Sequence, residues 1–141
     1  MEKWKTGVRV VRGASLEKAL ARAGGRATAI DFAGIGGTKT WIGAVKMPAD
    51  AVTGAHHHGR HEVAIYMTSG RLEIRWGDRL DYCAEIGPGD FAYFEPFVPH
   101  QERNLSRKEA AAYLAIRSDN ERIVVPLDVA PIEPPEEMFA D

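Results

Sequence analysis

Along residues 71–76 apolar and polar side chains alternate without a break. Leu72, Ile74 and Trp76 share one face, and Arg71, Glu73 and Arg75 share the other. That period of two is the signature of a half-buried antiparallel strand. Gly77 and Asp78 then offer a reversal, and "LDYCAEI" runs back toward a second turn signal, "GPGD". Similar short runs predict strands over residues 7–12, 27–32, 40–46, 62–68, 91–94, 100–105, 111–117 and 122–127. Only "SLEKALARAGG" has a helical pattern, with Ser15 as its N-cap and Gly24 as its stop. About nine short strands at close spacing predict an all-β barrel or sandwich with one short N-terminal helix.

No internal repeat or composition shift marks a second domain, so residues 1–128 read as one domain and 129–141 as a tail. The stretch "APIEPPEEMFAD" holds three prolines and four acids, and is expected to lie extended on the surface, to move, or to drape over a partner subunit. At 141 residues, 45% apolar and 27% charged, the composition is that of an ordinary globular protein. Eighteen basic and 20 acidic residues give a net charge of −2, with no basic block suited to nucleic acid. No segment approaches a membrane span, and the first twenty residues lack the apolar core of a signal peptide, so a cytoplasmic protein is expected. Cys83 is the only cysteine, which rules out an internal disulfide and a thiolate metal cluster. It reads as a strand residue rather than a nucleophile.

The candidate chemistry lies in the histidines. Four of the five fall within residues 56–61, and the fifth is His100. In an extended chain alternate side chains share a face, so His56 and His58 point together while His57 points away. Gly59 permits a turn, and Glu62 opens the next strand on the parity of that pair. Two imidazoles and a carboxylate thus converge, leaving His57 and His61 for surface or supporting positions. His100 supplies a further ligand; Pro99 stiffens its approach, and the 38 residues from Glu62 leave room for a hairpin and a return strand. Imidazole with carboxylate suits a borderline divalent ion: iron, manganese, nickel, zinc, cobalt or copper. Four protein ligands around an ion preferring six leave two positions open, as a catalytic or substrate-binding metal requires.

These residues resemble the two motifs of the cupin superfamily in its small, single-domain bacterial form. The first motif is a glycine, five residues, His-x-His, three or four residues, Glu, six residues, Gly. Here His56-x-His58 is followed by three residues, Glu62, and seven residues to Gly70. The second is Gly, five residues, Pro-x-Gly, two residues, His, three residues, Asn. It is matched by Gly89, five residues, Glu95-Pro96-Phe97, two residues, His100, three residues and Asn104. Asp50 stands where the leading glycine belongs, with Gly54 the nearest substitute, and Glu95 and Phe97 replace a proline and a glycine. The extra residue before Gly70 predicts a bulge. The resemblance covers residues 40–118. It implies a double-stranded β-helix, a jelly-roll barrel, with a divalent transition metal inside one end held by His56, His58, Glu62 and His100. It also implies a homodimer joined through terminal strands, for which "GVRVV" and "IVVPL" are candidates.

Around that ion, Glu102 shares a face with His100 and is the candidate catalytic residue, as a general base or by orienting a metal-bound water. Its alternative is a solvated strand end paired with Arg103 or Arg107. Ala64 and Tyr66, on the parity of Glu62, would line the mouth. Trp41, Phe91, Tyr93, Phe94 and Phe97 read as core or pocket wall. Arg117 reads as a surface arginine or as a contact for an anionic substrate. "GIGGTKT" lacks phosphate-loop spacing and reads as a turn or lid. The expected function is a metalloenzyme acting on a small molecule, dioxygenase-type chemistry ahead of isomerase or decarboxylase. The alternatives are a non-catalytic module binding a metal or small ligand, and a barrel with a structural ion; fold alone does not choose.

Overall fold

The computed structural model describes residues 4–22, 25–35 and 39–140. Two sheets enclose one core. The first contains β1 (Arg26–Ile30), β2 (Trp41–Met47), β4 (Val63–Ser69), β7 (Phe91–Phe94) and β9 (Ala111–Arg117), in the order β1-β2-β9-β4-β7. The second contains β3 (His56–His57), β5 (Leu72–Trp76), β6 (Tyr82–Ile86), β8 (His100–Asn104), β10 (Val125–Pro126) and β11 (Glu136–Glu137), in the order β10-β3-β8-β5-β6-β11. The chain crosses between the sheets repeatedly, giving the expected all-β jelly roll. Among the described residues two helices, α1 (Gly13–Arg22) and the single turn α2 (Phe32–Ile35), lie in the N-terminal part.

Alternation places the core. Val45 and Met47 from β2, Val63, Ile65 and Met67 from β4, Leu72 and Ile74 from β5, and Tyr113 from β9 are all buried together. Arg75 sits on the polar face of β5, yet it is buried too. The C-terminal stretch passes over it: its guanidinium donates to the carbonyls of Leu80 (2.8 Å) and Ile132 (2.6 Å) and pairs with Glu133 at 2.7 Å. Residues beyond continue along β6, where β11 adds in parallel. Cys83 lies within β6, half-buried.

Several expectations are corrected. Residues 7–12 form no strand; Val8 and Val10 are 81% and 65% exposed, because alternation alone cannot make a strand without an edge to pair with. Ser15 lies inside α1 rather than capping it. The Arg12 carbonyl accepts the first helical bonds, from the amides of Ser15 and Leu16. Strand 122–127 shrinks to Val125–Pro126, where Pro126 has no amide to extend the ladder. Phe32 opens α2 instead of ending β1. Gly24 and positions 36–38 of "GIGGTKT" lie outside the described residues. Gly25 is required: at φ +93° its carbonyl accepts the Lys46 amide, and a Cβ there would come within 2.3 Å of the Lys46 carbonyl oxygen.

Candidate metal centre

The short strand β3 pairs with β8 so that His56 lies directly opposite His100. His58 follows one pleat later, and one ligand nitrogen from each of the three rings falls within 4.8 Å of the others. The ring centroids are 4.4–5.1 Å apart. Each Nδ1 is already committed to a backbone carbonyl, which can only accept. His56 donates to Gly54 (2.8 Å), His58 to Ile123 (2.9 Å) and His100 to Val98 (3.0 Å). In all three rings that bond leaves Nε2 as the nitrogen available to a metal, with the ring oriented as ligands usually are by the bond on the other nitrogen. Burial pushes the pKa of His100 down to about 3 and lowers that of His58, so both are neutral and able to ligate at neutral pH. This donor set fits a borderline divalent ion.

Glu62 is not brought to the group. It is exposed, and its carboxylate accepts the Tyr93 hydroxyl at 2.5 Å. Parity does not carry across the reversal at residues 58–61, where Gly59 takes φ +57° and the His61 amide donates to the His58 carbonyl. The chain re-enters the sheet with Val63, Ile65 and Met67 facing inward, leaving Glu62, Ala64 and Tyr66 on the outer face, where Tyr66 packs on Phe91. The four-residue variant of the first motif puts its carboxylate position at Val63, which is 6% exposed. Counted from there, six residues precede Gly70. A register irregularity between Met67 and Ser69 supplies the expected bulge.

His57 points away from the triad as expected, its Nδ1 accepting the Gly59 amide. His61 is fully buried, and its Nε2 lies 2.7 Å from Asp119. Arg60 bridges Asp119 (3.2 Å) and Glu121 (2.6 Å). This fastens the 118–124 loop that carries the Ile123 carbonyl bonded to His58. Asn104, the last residue of the second motif, is structural: its amide donates to the carbonyls of Met47, Pro48 and Glu109, and its oxygen accepts the Ser106 amide.

A cavity of about 640 Å³ opens between the sheets, walled by His56 and His58 together with Val45, Val63, Ile65 and Tyr113. Glu102 lies in that wall, 7% exposed, and its carboxyl has no hydrogen bond or ion pair among the described residues, Arg103 and Arg107 included. Burial raises its pKa from 4.5 to about 7, with Arg26 opposing. Arg26, Arg117 and Arg122 also line the cavity. Sequence reasoning missed Arg26 and Arg122, which carry no motif, and the Ile123 carbonyl, whose role is a backbone matter. Of the expected aromatic wall, Trp41 lines the cavity and Phe94 packs on His100, whereas Phe91, Tyr93 and Phe97 are exposed.

The fold is shared with solved structures at low identity. An uncharacterised conserved protein with a double-stranded β-helix domain from Klebsiella pneumoniae matches at TM-score 0.61 and 14% identity, over 73% of this chain and 83% of that one. The polyketide cyclase RemF from Streptomyces resistomycificus matches at TM-score 0.64 and 19% identity, over 74% and 70%. A cupin 2 domain-containing protein from Halorhodospira halophila matches at TM-score 0.63 and 22% identity, over 73% and 69%. No curated protein sequence matches the chain. The cupin domain family matches residues 43–117, the span that holds all three histidines of the triad. More than half of the chain lies within that match, and the protein belongs to the cupin family.

Proposed function

We propose that His56, His58 and His100 hold a divalent transition metal, and that the protein is a metalloenzyme acting on a small molecule in the adjoining cavity. Dioxygenase-type turnover is preferred to isomerisation or decarboxylation. The observation that carries this reading is the convergence of three imidazoles, each with its Nδ1 bonded to a backbone carbonyl, beside a cavity of about 640 Å³ that His56 and His58 help to wall. A bound ion with three protein ligands keeps open positions and supplies Lewis-acid or redox chemistry there. The chain's own residues do the rest: the apolar walls orient the ligand and exclude water, and Glu102 is placed to take or give a proton. A cytoplasmic location and a homodimer, joined where Val8 and Val10 are exposed, belong to the same proposal; no helix among the described residues is long and apolar enough to cross a membrane.

Metal analysis of protein made in defined medium tests the centre. Wild type should carry one equivalent and His100→Ala none; wild type without stoichiometric metal would overturn the reading. Oxygen uptake by the iron(II)-loaded protein with diketones, catechols and thiols then tests the reaction. Absence of uptake, with ligand-induced melting shifts, would favour a non-catalytic binding module.

A further inference from the structure

We propose that the cavity selects small organic acids, with Arg117 and Arg122 holding the carboxylate and an apolar body lying toward the histidines. The proposal rests on the metal reading only for what the far end of the ligand meets. Arg117 lies on the inward face of β9 with Tyr113 and Ala115, and all three line the cavity. Its guanidinium carbon stacks 3.9 Å from the centroid of the Trp41 ring, which fixes the plane of the group. Its Nε is buried and has no hydrogen-bond partner. A buried donor without an acceptor is unfavourable and calls for a ligand or water to satisfy it.

Arg122 stands near enough for its charge to act on Arg117, and Arg26 lines the same cavity. Among the described residues none of the three arginines has an ion pair, and the cavity wall offers a single acid, Glu102. Asp119 acts on Arg117, and Glu102 on Arg26, only at a distance and without an ion pair, and guanidiniums so gathered are stabilised by an anion that bridges them. The planar fork of a guanidinium, with its paired N–H donors, matches the two oxygens of a carboxylate. Among the described residues the walls argue for carboxylate over phosphate: they are strands and their connections, with no helix N-terminus to cradle a phosphate. Val45, Val63 and Ile65 supply the surface for an apolar body.

Calorimetric titration of the metal-free protein with 3-phenylpropanoate and with its neutral amide reads this without turnover. The acid should bind at least about tenfold more tightly than the amide. Arg117→Gln and Arg122→Gln should each remove most of that preference while metal content stays at the wild-type level. Arg122 lies outside any strand, so R122Q decides the matter even if R117Q fails to fold. Acid and amide binding within twofold of each other, or a preference unchanged in R122Q, would overturn the proposal; so would tighter binding of phenyl phosphate than of the acid. A wild type that shows the preference yet takes up no metal removes the metal reading and leaves this one standing. Metal uptake without the preference does the reverse.

Discussion

Replacing Glu102 by glutamine should stabilise the metal-free protein in alkaline solution and leave it unchanged in acid. The carboxyl is 7% exposed, and burial raises its pKa from 4.5 to about 7 against the opposing charge of Arg26. A carboxyl whose folded pKa lies above its unfolded value keeps its proton longer in the folded state. Below pH 4.5 it is neutral in both states and contributes nothing to the balance. Between 4.5 and about 7 the unfolded chain ionises first, so stability falls as pH rises, and above that window the whole penalty remains. About 2.5 units at 1.36 kcal/mol each gives roughly 3 kcal/mol. In a chain of this size that is roughly 6–12 °C in melting temperature. Glutamine has nearly the same shape and does not titrate. Urea unfolding of both proteins with a chelator present, at several values between pH 5 and pH 8, should show a gap that widens from about 1 kcal/mol to about 3 kcal/mol in favour of E102Q. A gap that does not vary with pH, or a wild type more stable at pH 8, would refute the reasoning; the latter would mean that the carboxylate is ionised and paired, with Arg26 the nearest candidate.

Three further outcomes follow from the site. Glu62→Gln should change metal affinity by less than about twofold, whereas His56→Ala should cost at least about tenfold in competition with a chromogenic chelator; equal losses would return Glu62 to the ligand set. Phe97 adopts φ 65°, so Phe97→Gly should be more stable to urea than Phe97→Ala by about 1 kcal/mol, and an alanine variant as stable as the glycine would show no strain at that position. Asp119→Asn weakens the hold of His61 and Arg60 on the loop whose Ile123 carbonyl orients His58. Metal affinity should fall about tenfold, and an unchanged affinity would show that the loop stays in place without that charge.

Strands were legible where alternation was strict, as in β5, or where a short apolar run was bounded by polar segments, as in β9. The triad was legible because His56 and His58 share one strand's parity and His100 opens another strand. Parity failed at Glu62, since a turn lay between it and the pair, and a turn resets which face points inward. The motif glycines show a different kind of legibility. Asp50 and Phe97 replace two of them, yet they hold φ 60° and 65°, beside 78° at Gly70 and 89° at Gly89. The left-handed backbone is retained where the residue that favours it is not, so spacing was a better guide to conformation there than residue type. Arg26 and Arg122 were illegible for a plain reason: β1, β9 and the 118–124 loop meet only after folding.

The charge of the cavity joins these observations. Val63 stands at the motif position of a carboxylate, and the triad itself is uncharged at His58 and His100. Nothing among the three ligands would offset a divalent cation, and Arg26, Arg117 and Arg122 add to the positive side. Among the described residues of the wall Glu102 is the acid that can oppose them, and at pH 8 in the metal-free protein it is ionised for most of the time. An organic acid entering the cavity then meets one repelling carboxylate among attracting guanidiniums. E102Q at pH 8 should therefore bind 3-phenylpropanoate about three- to tenfold more tightly than wild type, as expected for removing one like charge at a partly solvated distance, and bind the neutral amide equally well. The gain should shrink at pH 5, where Glu102 is protonated in the folded protein. Weaker binding of the acid by E102Q at both pH values would refute this balance, because it would mean that Glu102 donates its proton to the ligand rather than repelling it.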